Sequence, residues 1–325
     1  MKIAIYRPSK DEQREFEKLA PLSQLEFEII GEPLTLGTAH FAKGATGISI
    51  PGGEGNIDQS ILDAIAAQGV KVIATRSIGY NHIDVDYAKS IGLKICISEY
   101  APNAVSEHTI MLILMTLRHA KLTLERVKEQ NYQISDIKGR ELKDLTVGVV
   151  GTGNIGEAVI HNLTGFGCRI LANNKTVKTN LTQFATYVSL EELFAKSDII
   201  TLHLPLNSKT HHFIGKNEIA RMKDGVILIN CSRGELMDTD ALIEGIESKK
   251  IAALGLDVLE SETAFFQQLD DAITQKNNRL TEYPNVIVTP HNAYHTDVAI
   301  SSIVKSSLDG LKILIKGEPW KNEIK

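Results

Sequence analysis

The sequence predicts an α/β protein built from two doubly wound parallel-sheet domains with the active-site cleft between them. Three observations lead there. Short apolar, β-branched runs alternate with helical stretches along most of the chain. A glycine-rich strand-to-helix turn lies in mid-chain, at Leu145–Gly156, behind a separate βα region. The chain has 325 residues, more than one typical core, so two domains are expected.

The first hundred residues supply the first domain. Lys2–Tyr6 reads as a strand and Lys10–Leu19 as a helix. Phe27–Ile30 and Gly47–Ile50 are short strands. Ile57–Gln68 is a helix that Asp58 can cap and Gly69 can end. Val70–Thr75 is a strand, Val85–Ile91 a helix closed by Gly92, and Lys94–Ser98 a strand. One long helix then opens at Ala101-Pro102-Asn103 and runs towards Gln130. It is apolar nearly all round through Ile110–Leu117, which predicts burial between the two halves.

The second pattern begins at Leu145–Val150, an uncharged strand of the buried parallel kind. Gly151, Gly153 and Gly156 follow in G-x-G-x-x-G spacing, and Glu157–Phe166 can run as a helix. Gly151 permits the tight turn, Gly153 lets a pyrophosphate approach the backbone, and Gly156 lets the helix pack close to the sheet. The free N–H groups of the helix N-terminus suit phosphate. The strand–turn–helix context makes this a dinucleotide-binding fingerprint of the Rossmann type. Strands follow at Arg169–Ala172, Asp198–His203, Val226–Asn230, Ala252–Val258 and Asn285–Pro290. Helices follow at Ser189–Lys196, Asn217–Met222, Asp240–Ser248 and Asp297–Lys316. A long loop is expected over roughly 260–283. These boundaries predict a substrate domain of residues 1–100 plus 297–325 and a dinucleotide-binding domain of 101–296, the final helix returning to the first domain.

Composition narrows the function. The apolar fraction of 43% and charged fraction of 23% are those of an ordinary soluble protein. Net charge is −5 with no long basic run, which argues against nucleic acid or an anionic membrane as partner. The three cysteines, Cys96, Cys168 and Cys231, form no C-x-x-C pair, so neither a disulfide frame nor a metal site is expected. Met1-Lys2 leads straight into a strand, without a signal peptide. No stretch is long and uncharged enough to span a bilayer. A cytoplasmic protein is expected.

Ligands of open α/β sheets sit at the carboxyl ends of the strands. The polar residues there are His203, Arg233, Asp257 and His291, with Glu262 just beyond Asp257. The arginine fork matches a carboxylate. A histidine poised by a carboxylate is a general acid working near neutral pH. Arg233, Glu262 and His291 together can hold a keto acid and protonate its carbonyl while a nicotinamide delivers hydride.

Several segments, in order and over nearly the whole chain, resemble the D-isomer-specific 2-hydroxyacid dehydrogenases. They are Arg76-Ser-Ile-Gly-Tyr-Asn-His-Ile-Asp84, Tyr100-Ala-Pro-Asn-Ala-Val-Ser-Glu107, Val147–Gly156, His203-Leu-Pro205, Cys231-Ser-Arg-Gly234, Asp257–Glu262 and Pro290-His-Asn-Ala-Tyr294. Within that family the chain looks most like the D-lactate dehydrogenases, including the vancomycin-resistance type. The resemblance implies that Arg233 binds the substrate carboxylate and carbonyl, that His291 donates the proton and that Glu262 pairs with it. It implies backbone N–H groups of Ile78 and Gly79 on the carboxylate and Tyr100 lining the substrate site. For the cofactor it points to Asn154, Ile155, Leu204, Pro205, Cys231, Ser232, Arg233 and Asp257. It implies a homodimer.

Two departures bear on specificity. About 20 residues past the fingerprint an acid should meet the ribose 2′-hydroxyl. Asn174 stands there instead, followed by Lys175 and then Lys178, which suggests acceptance of NADPH. Solvated lysines with Asn174 still bonded to the ribose of NADH are the alternative. Pro51-Gly52-Gly53 replaces bulkier residues expected in a strict lactate enzyme and suggests 2-keto acids larger than pyruvate. The expected activity is therefore NAD(P)H-dependent reduction of a small 2-keto acid, pyruvate foremost, to the D-2-hydroxy acid. A glyoxylate or hydroxypyruvate reductase of the same family and a nucleotide-sensing, corepressor-like protein are the rivals. The absence of a regulatory domain after Lys316 argues against the regulated phosphoglycerate type.

Overall fold

The named strands of the computed structural model, which describes residues 1–23, 25–53, 55–262 and 271–325, pair in parallel and form two sheets. The chain divides into two units. The first is Met1–Ala101 with His295–Lys325, the second Pro102–Tyr294.

In the first unit the strands are β1 (Lys2–Tyr6), β2 (Glu26–Ile30), β3 (Gly47–Pro51), β4 (Val72–Arg76) and β5 (Lys94–Ile97), in the order β2-β1-β3-β4-β5. Side chains alternate across the pleat and feed two cores. Ile3 and Ile5 of β1 join Phe16, Val304, Leu308 and Leu311 on one face. Ala4 and Tyr6 join Ile61, Leu62 and Ile65 on the other. The helices are α1 (Lys10–Ser23), α2 (Gln59–Ala67) and α3 (Val85–Ser90). A last helix, Asp297–Ile315, packs on β3, β4 and β5. Asp58 caps α2 by accepting from Ile61 N–H at 3.1 Å. Arg76, 3% exposed, ends β4 with its charge compensated: Glu12 at 2.8 Å, Ser49 Oγ at 3.1 Å and the Tyr6 carbonyl at 2.9 Å.

The second unit opens with α4 (Asn103–Leu117) and α5 (Ala120–Lys128). The expected single helix is thus broken. His119 takes the left-handed φ of 50° between the two, and Arg118 ends α4. Nor is α4 enclosed on every side, since Met111 is 38% exposed. Its strands are β6 (Thr146–Val150), β7 (Arg169–Asn173), β8 (Thr186–Tyr187), β9 (Ile199–Leu202), β10 (Val226–Asn230), β11 (Ile251–Leu256) and β12 (Val286–Val288), ordered β12-β11-β10-β9-β6-β7-β8. The order reverses between β6 and β9, which makes their carboxyl ends the switch point of the sheet. Helices α6 (Asn154–Thr164), α7 (Leu190–Lys196), α8 (Lys216–Arg221), α9 (Thr239–Glu247) and α10 (Asp271–Glu282) complete the unit; Asp297–Ile315 is α11.

Two expectations need correction here. Part of the expected loop at 260–283 is the helix α10, and residues 263–270 lie outside the described residues. The helix after the glycine turn starts at Asn154, not Glu157, because Gly153 is its N-cap and Gly156 is helical. The two-residue β8 was not expected from sequence. No helix of the described residues is long and apolar enough to cross a membrane.

Candidate active site

At the switch point the backbone of β6 turns into α6 through Gly151, whose φ is +91°. A Cβ there would stand 2.4 Å from the His203 carbonyl oxygen at the end of β9. A Cβ on Gly156 would stand 2.0 Å from the Gly151 carbonyl oxygen. Two backbones and a helix therefore meet where only hydrogen fits. Gly153 differs: nothing lies within 4 Å of its Cβ position, and as N-cap it offers no side-chain hydrogen bond to the helix. The first turn at Asn154 and Ile155 thus faces a gap that a side chain would fill, a cradle that fits a pyrophosphate.

The rim of this turn is set by the next strands. The Asn174 carboxamide oxygen accepts from Thr152 N–H at 3.4 Å, and its nitrogen donates to the Thr176 carbonyl at 2.9 Å. Lys178 is tied to Glu157 at 2.5 Å, whereas Lys175 is exposed. Leu204 packs against the core beneath Gly151, and Pro205 is exposed. Burial pushes the His203 imidazole down to about 4, which makes it neutral at ordinary pH.

After β10, Asn230 organises the turn. Its oxygen accepts from Ser232 N–H at 3.0 Å and its nitrogen donates to the Arg233 carbonyl at 2.8 Å. Ser232 donates its hydroxyl to the Leu202 carbonyl at 2.8 Å, which ties the turn to β9. The Cys231 thiol is buried, and burial pushes it up to about 12. Gly234 follows because a Cβ there would fall 2.0 Å from both the carbonyl carbon and oxygen of Leu259. The arginine turn and the segment leading to Glu262 are in backbone contact.

Asp257, 1% exposed, directly follows β11 and builds the loop of the candidate acid. Its carboxylate accepts from Thr289 Oγ1 at 2.5 Å and from the N–H groups of Asn292 (3.0 Å) and Ala293 (2.9 Å). His108 of α4 reaches Thr289 Oγ1 at 3.0 Å and Asp257 Oδ1 at 3.4 Å. The His291 N–H bonds the carbonyls of Asp257 (2.8 Å) and Thr289 (2.9 Å). His291 itself has φ +52°. A left-handed non-glycine costs about 1–3 kcal/mol. The hydrogen bonds of Asp257 to Thr289, Asn292 and Ala293 fix the loop on both sides of His291.

With the backbone fixed, the His291 Nδ1 lies 2.5 Å from Glu262 Oε1. The ring is half-buried. Burial, the largest influence, lowers its pKa. The hydrogen bond and charge of Glu262, with Asp257 behind, outweigh burial and the repulsion of Arg233, and the net shift is upward. An imidazolium with Nδ1 occupied presents Nε2 as its free donor.

The remaining residues expected at the site belong to the first unit. Ile78 is 40% exposed after β4, and Gly79 follows it in a turn where Ser77 Oγ donates to the Gly79 carbonyl at 2.5 Å. Tyr100 is half-buried just beyond β5. Gly52 packs on Ser77, where a Cβ would stand 2.3 Å from Ser77 Cβ, while nothing lies within 4 Å of a Cβ at Gly53. Sequence reasoning missed His108, which lies on a helix, and Thr289, which directly follows β12 beside the Pro-His pair. Among the described residues no cluster could hold a metal ion.

A model described as the D-isomer specific 2-hydroxyacid dehydrogenase, NAD binding domain, matches residues 110–293. The chain is 39% identical over 314 residues to the D-specific alpha-keto acid dehydrogenase of Enterococcus faecalis, covering 95% of both. It is 39% identical over 322 residues to the aromatic 2-oxoacid reductase of Clostridium sporogenes, covering 96% of both. The crystal structure of a D-lactate dehydrogenase from Treponema pallidum is similar over 100% of both chains, with a TM-score of 0.90 and 30% identity.

The contact at Gly234 makes a test. Gly234→Ala should destabilise the protein by about 1–3 kcal/mol, because backbone and not a flexible side chain must move. Chemical denaturation followed by circular dichroism reads the loss. A change below about 0.5 kcal/mol, the range of surface substitutions, would contradict the close approach.

Proposed function

The chain belongs to the D-isomer-specific 2-hydroxyacid dehydrogenase family, and on that premise we propose that it reduces small 2-keto acids, pyruvate foremost, to D-2-hydroxy acids. The observation that carries the reading is the Glu262–His291 pair beside Arg233 at the carboxyl ends of β10 to β12. The second unit takes the dinucleotide at the Gly151–Gly156 turn, with Leu204, Pro205, Cys231, Ser232 and Asp257 around it. The first unit takes the substrate. Arg233, with the N–H groups of Ile78 and Gly79, binds the carboxylate, and the guanidinium polarises the keto oxygen. Tyr100 lines the substrate site. A bound reduced nicotinamide supplies the hydride that the keto carbon accepts. His291 gives its Nε2 proton to the carbonyl oxygen, becomes neutral, and takes a proton back from solvent after product leaves. Glu262 stabilises the charged ring and fixes its tautomer.

The sign of the pH dependence follows. Reduction needs the imidazolium and is lost as pH rises through the His291 pKa. Because that pKa is raised, reduction persists above the pH at which an ordinary histidine would stop it.

The free cysteines fit a reducing cytoplasm. Exposed apolar side chains on α4 and α5 and just beyond them, among them Met111, Leu124, Val127, Tyr132 and Ile134, fit a homodimer face. For the coenzyme, Asn174 puts no carboxylate in the way of a 2′-phosphate and Lys175 is exposed to meet one; Lys178 is spent on Glu157. NADPH is therefore accepted beside NADH. The small residues at Gly52 and Gly53, with open space beside Gly53, support acceptance of 2-keto acids larger than pyruvate.

Two measurements test this. His291→Asn should lower kcat of pyruvate reduction roughly 10²–10⁴-fold, and Arg233→Ala should chiefly raise KM for pyruvate; unchanged kinetics removes that residue from the scheme. Values of kcat/KM for pyruvate, 2-ketobutyrate and phenylpyruvate should be graded, each step within about 200-fold, and measurable with both coenzymes. Turnover of pyruvate alone, or no rate with NADPH, overturns the corresponding reading.

A further inference from the structure

We infer that His212 and Glu260 are positioning residues for the acid pair: they fasten the turn Leu259–Glu262 so that Glu262 meets His291. The inference rests on the roles proposed above for Glu262 and His291. Glu262 has few ties of its own. Its Oε1 is on His291, and its Oε2 accepts from Leu259 N–H at 3.4 Å. Where its carboxylate sits is therefore decided by the turn.

That turn is held through Glu260. Its Oε1 accepts from His212 Nε2 at 2.7 Å. Its Oε2 accepts from the Thr239 hydroxyl at 2.7 Å and the Thr239 N–H at 3.3 Å. The Glu260 carbonyl accepts from the Asn277 side chain at 3.0 Å. The next residue, Ser261, has φ +54° and donates its N–H to Glu235 Oε1 at 3.2 Å. His212 also has a left-handed φ, 49°, and donates its N–H to the Glu235 carbonyl at 2.8 Å. Four segments thus grip one turn: the loop after β9, the turn after β10 that carries Glu235, the start of α9, and α10. Two left-handed non-glycine residues mark it as a shape that its neighbours impose.

The other charged or titratable groups around His212 and Glu260 are His211, stacked on His212 at 4.0 Å, Asp238 at 3.9 Å from Nδ1, Glu235, and Lys276 at 3.6 Å from Glu260 with its partner Asp240. Those around His291 are Glu262, Asp257, Arg233 and, edge-on at 6.5 Å, Tyr294. Despite burial, the bonds from His212 and Thr239 with the charge of Lys276 hold the Glu260 carboxyl below its ordinary range. The clamp is therefore charged at working pH. Released, the turn lets Glu262 withdraw from Nδ1, and His291 loses the interaction that keeps it protonated.

The test is the pH profile of kcat for pyruvate reduction with NADH, in the full-length wild type, His212→Ala, His212→Gln and His291→Asn. His212→Ala should lower kcat roughly tenfold at neutral pH and move the alkaline limb about one pH unit lower. KM for NADH should change less than about twofold, since the glycine turn is untouched. His212→Gln keeps a side-chain N–H donor and should restore most of both effects. If His212→Ala lowers the melting temperature but leaves the limb in place, His212 is a structural residue only and the inference falls. If His291→Asn retains wild-type kcat, the acid pair itself is wrong, which is a different failure. Should His212→Ala not fold, Thr239→Val removes another donor to Glu260 without altering charge. An unmoved limb there overturns the inference as well.

Discussion

Two chain segments that lie 29 residues apart meet where Glu262 Oε1 stands 2.5 Å from His291 Nδ1. The surrounding polar structure of the second unit is arranged around that contact. From one side, Asp257, Thr289 and His108 hold the backbone of the histidine in a conformation it would not adopt alone. From the other, Glu260 and its partners hold the turn of the glutamate. A ring between these supports has little rotational freedom and carries its charge at a higher pH than it would in water. Preorganisation of this kind matters more than the strength of any one bond, because a displacement of about 1 Å at a reacting group can cost 10²-fold in rate.

The sheet brings these loops together. Strands β10, β11 and β12 run parallel in adjacent positions, so their carboxyl ends emerge side by side. The reversal between β6 and β9 puts the glycine turn at the same edge. Backbones then approach within distances that exclude a methyl group, at Gly151 against His203 and at Gly234 against Leu259. The glycines are placed where the topology crowds the main chain. Gly153, the N-cap of α6, instead has open space at its Cβ position.

Much of this was legible in the residues themselves. Val226–Asn230 is apolar, bounded by Gly225 and Cys231, and forms β10 over the same residues. The Asp58 cap was readable because it offers a short oxygen just ahead of an amphipathic run. The break at His119 was not, because neither glycine nor proline marks the left-handed turn there. Helix α10 was hidden by its many polar residues, several of them Thr and Asn, which weaken the helical signal. At the site, strand ends pointed to Arg233, Asp257 and His291. The supports were out of reach for a different reason. His108 bonds a residue 181 positions away and His212 one 48 positions away, and no local pattern encodes such a pairing.

A histidine that stays protonated because a carboxylate holds its far nitrogen is the core of the account. The most direct measurement is an NMR titration of the His291 ring in the wild type and in Glu262→Gln. The account predicts a wild-type pKa above that of a free histidine, falling by about one unit or more in the variant. A ring that titrates at or below the ordinary value, and does not respond to the loss of the Glu262 charge, would contradict it.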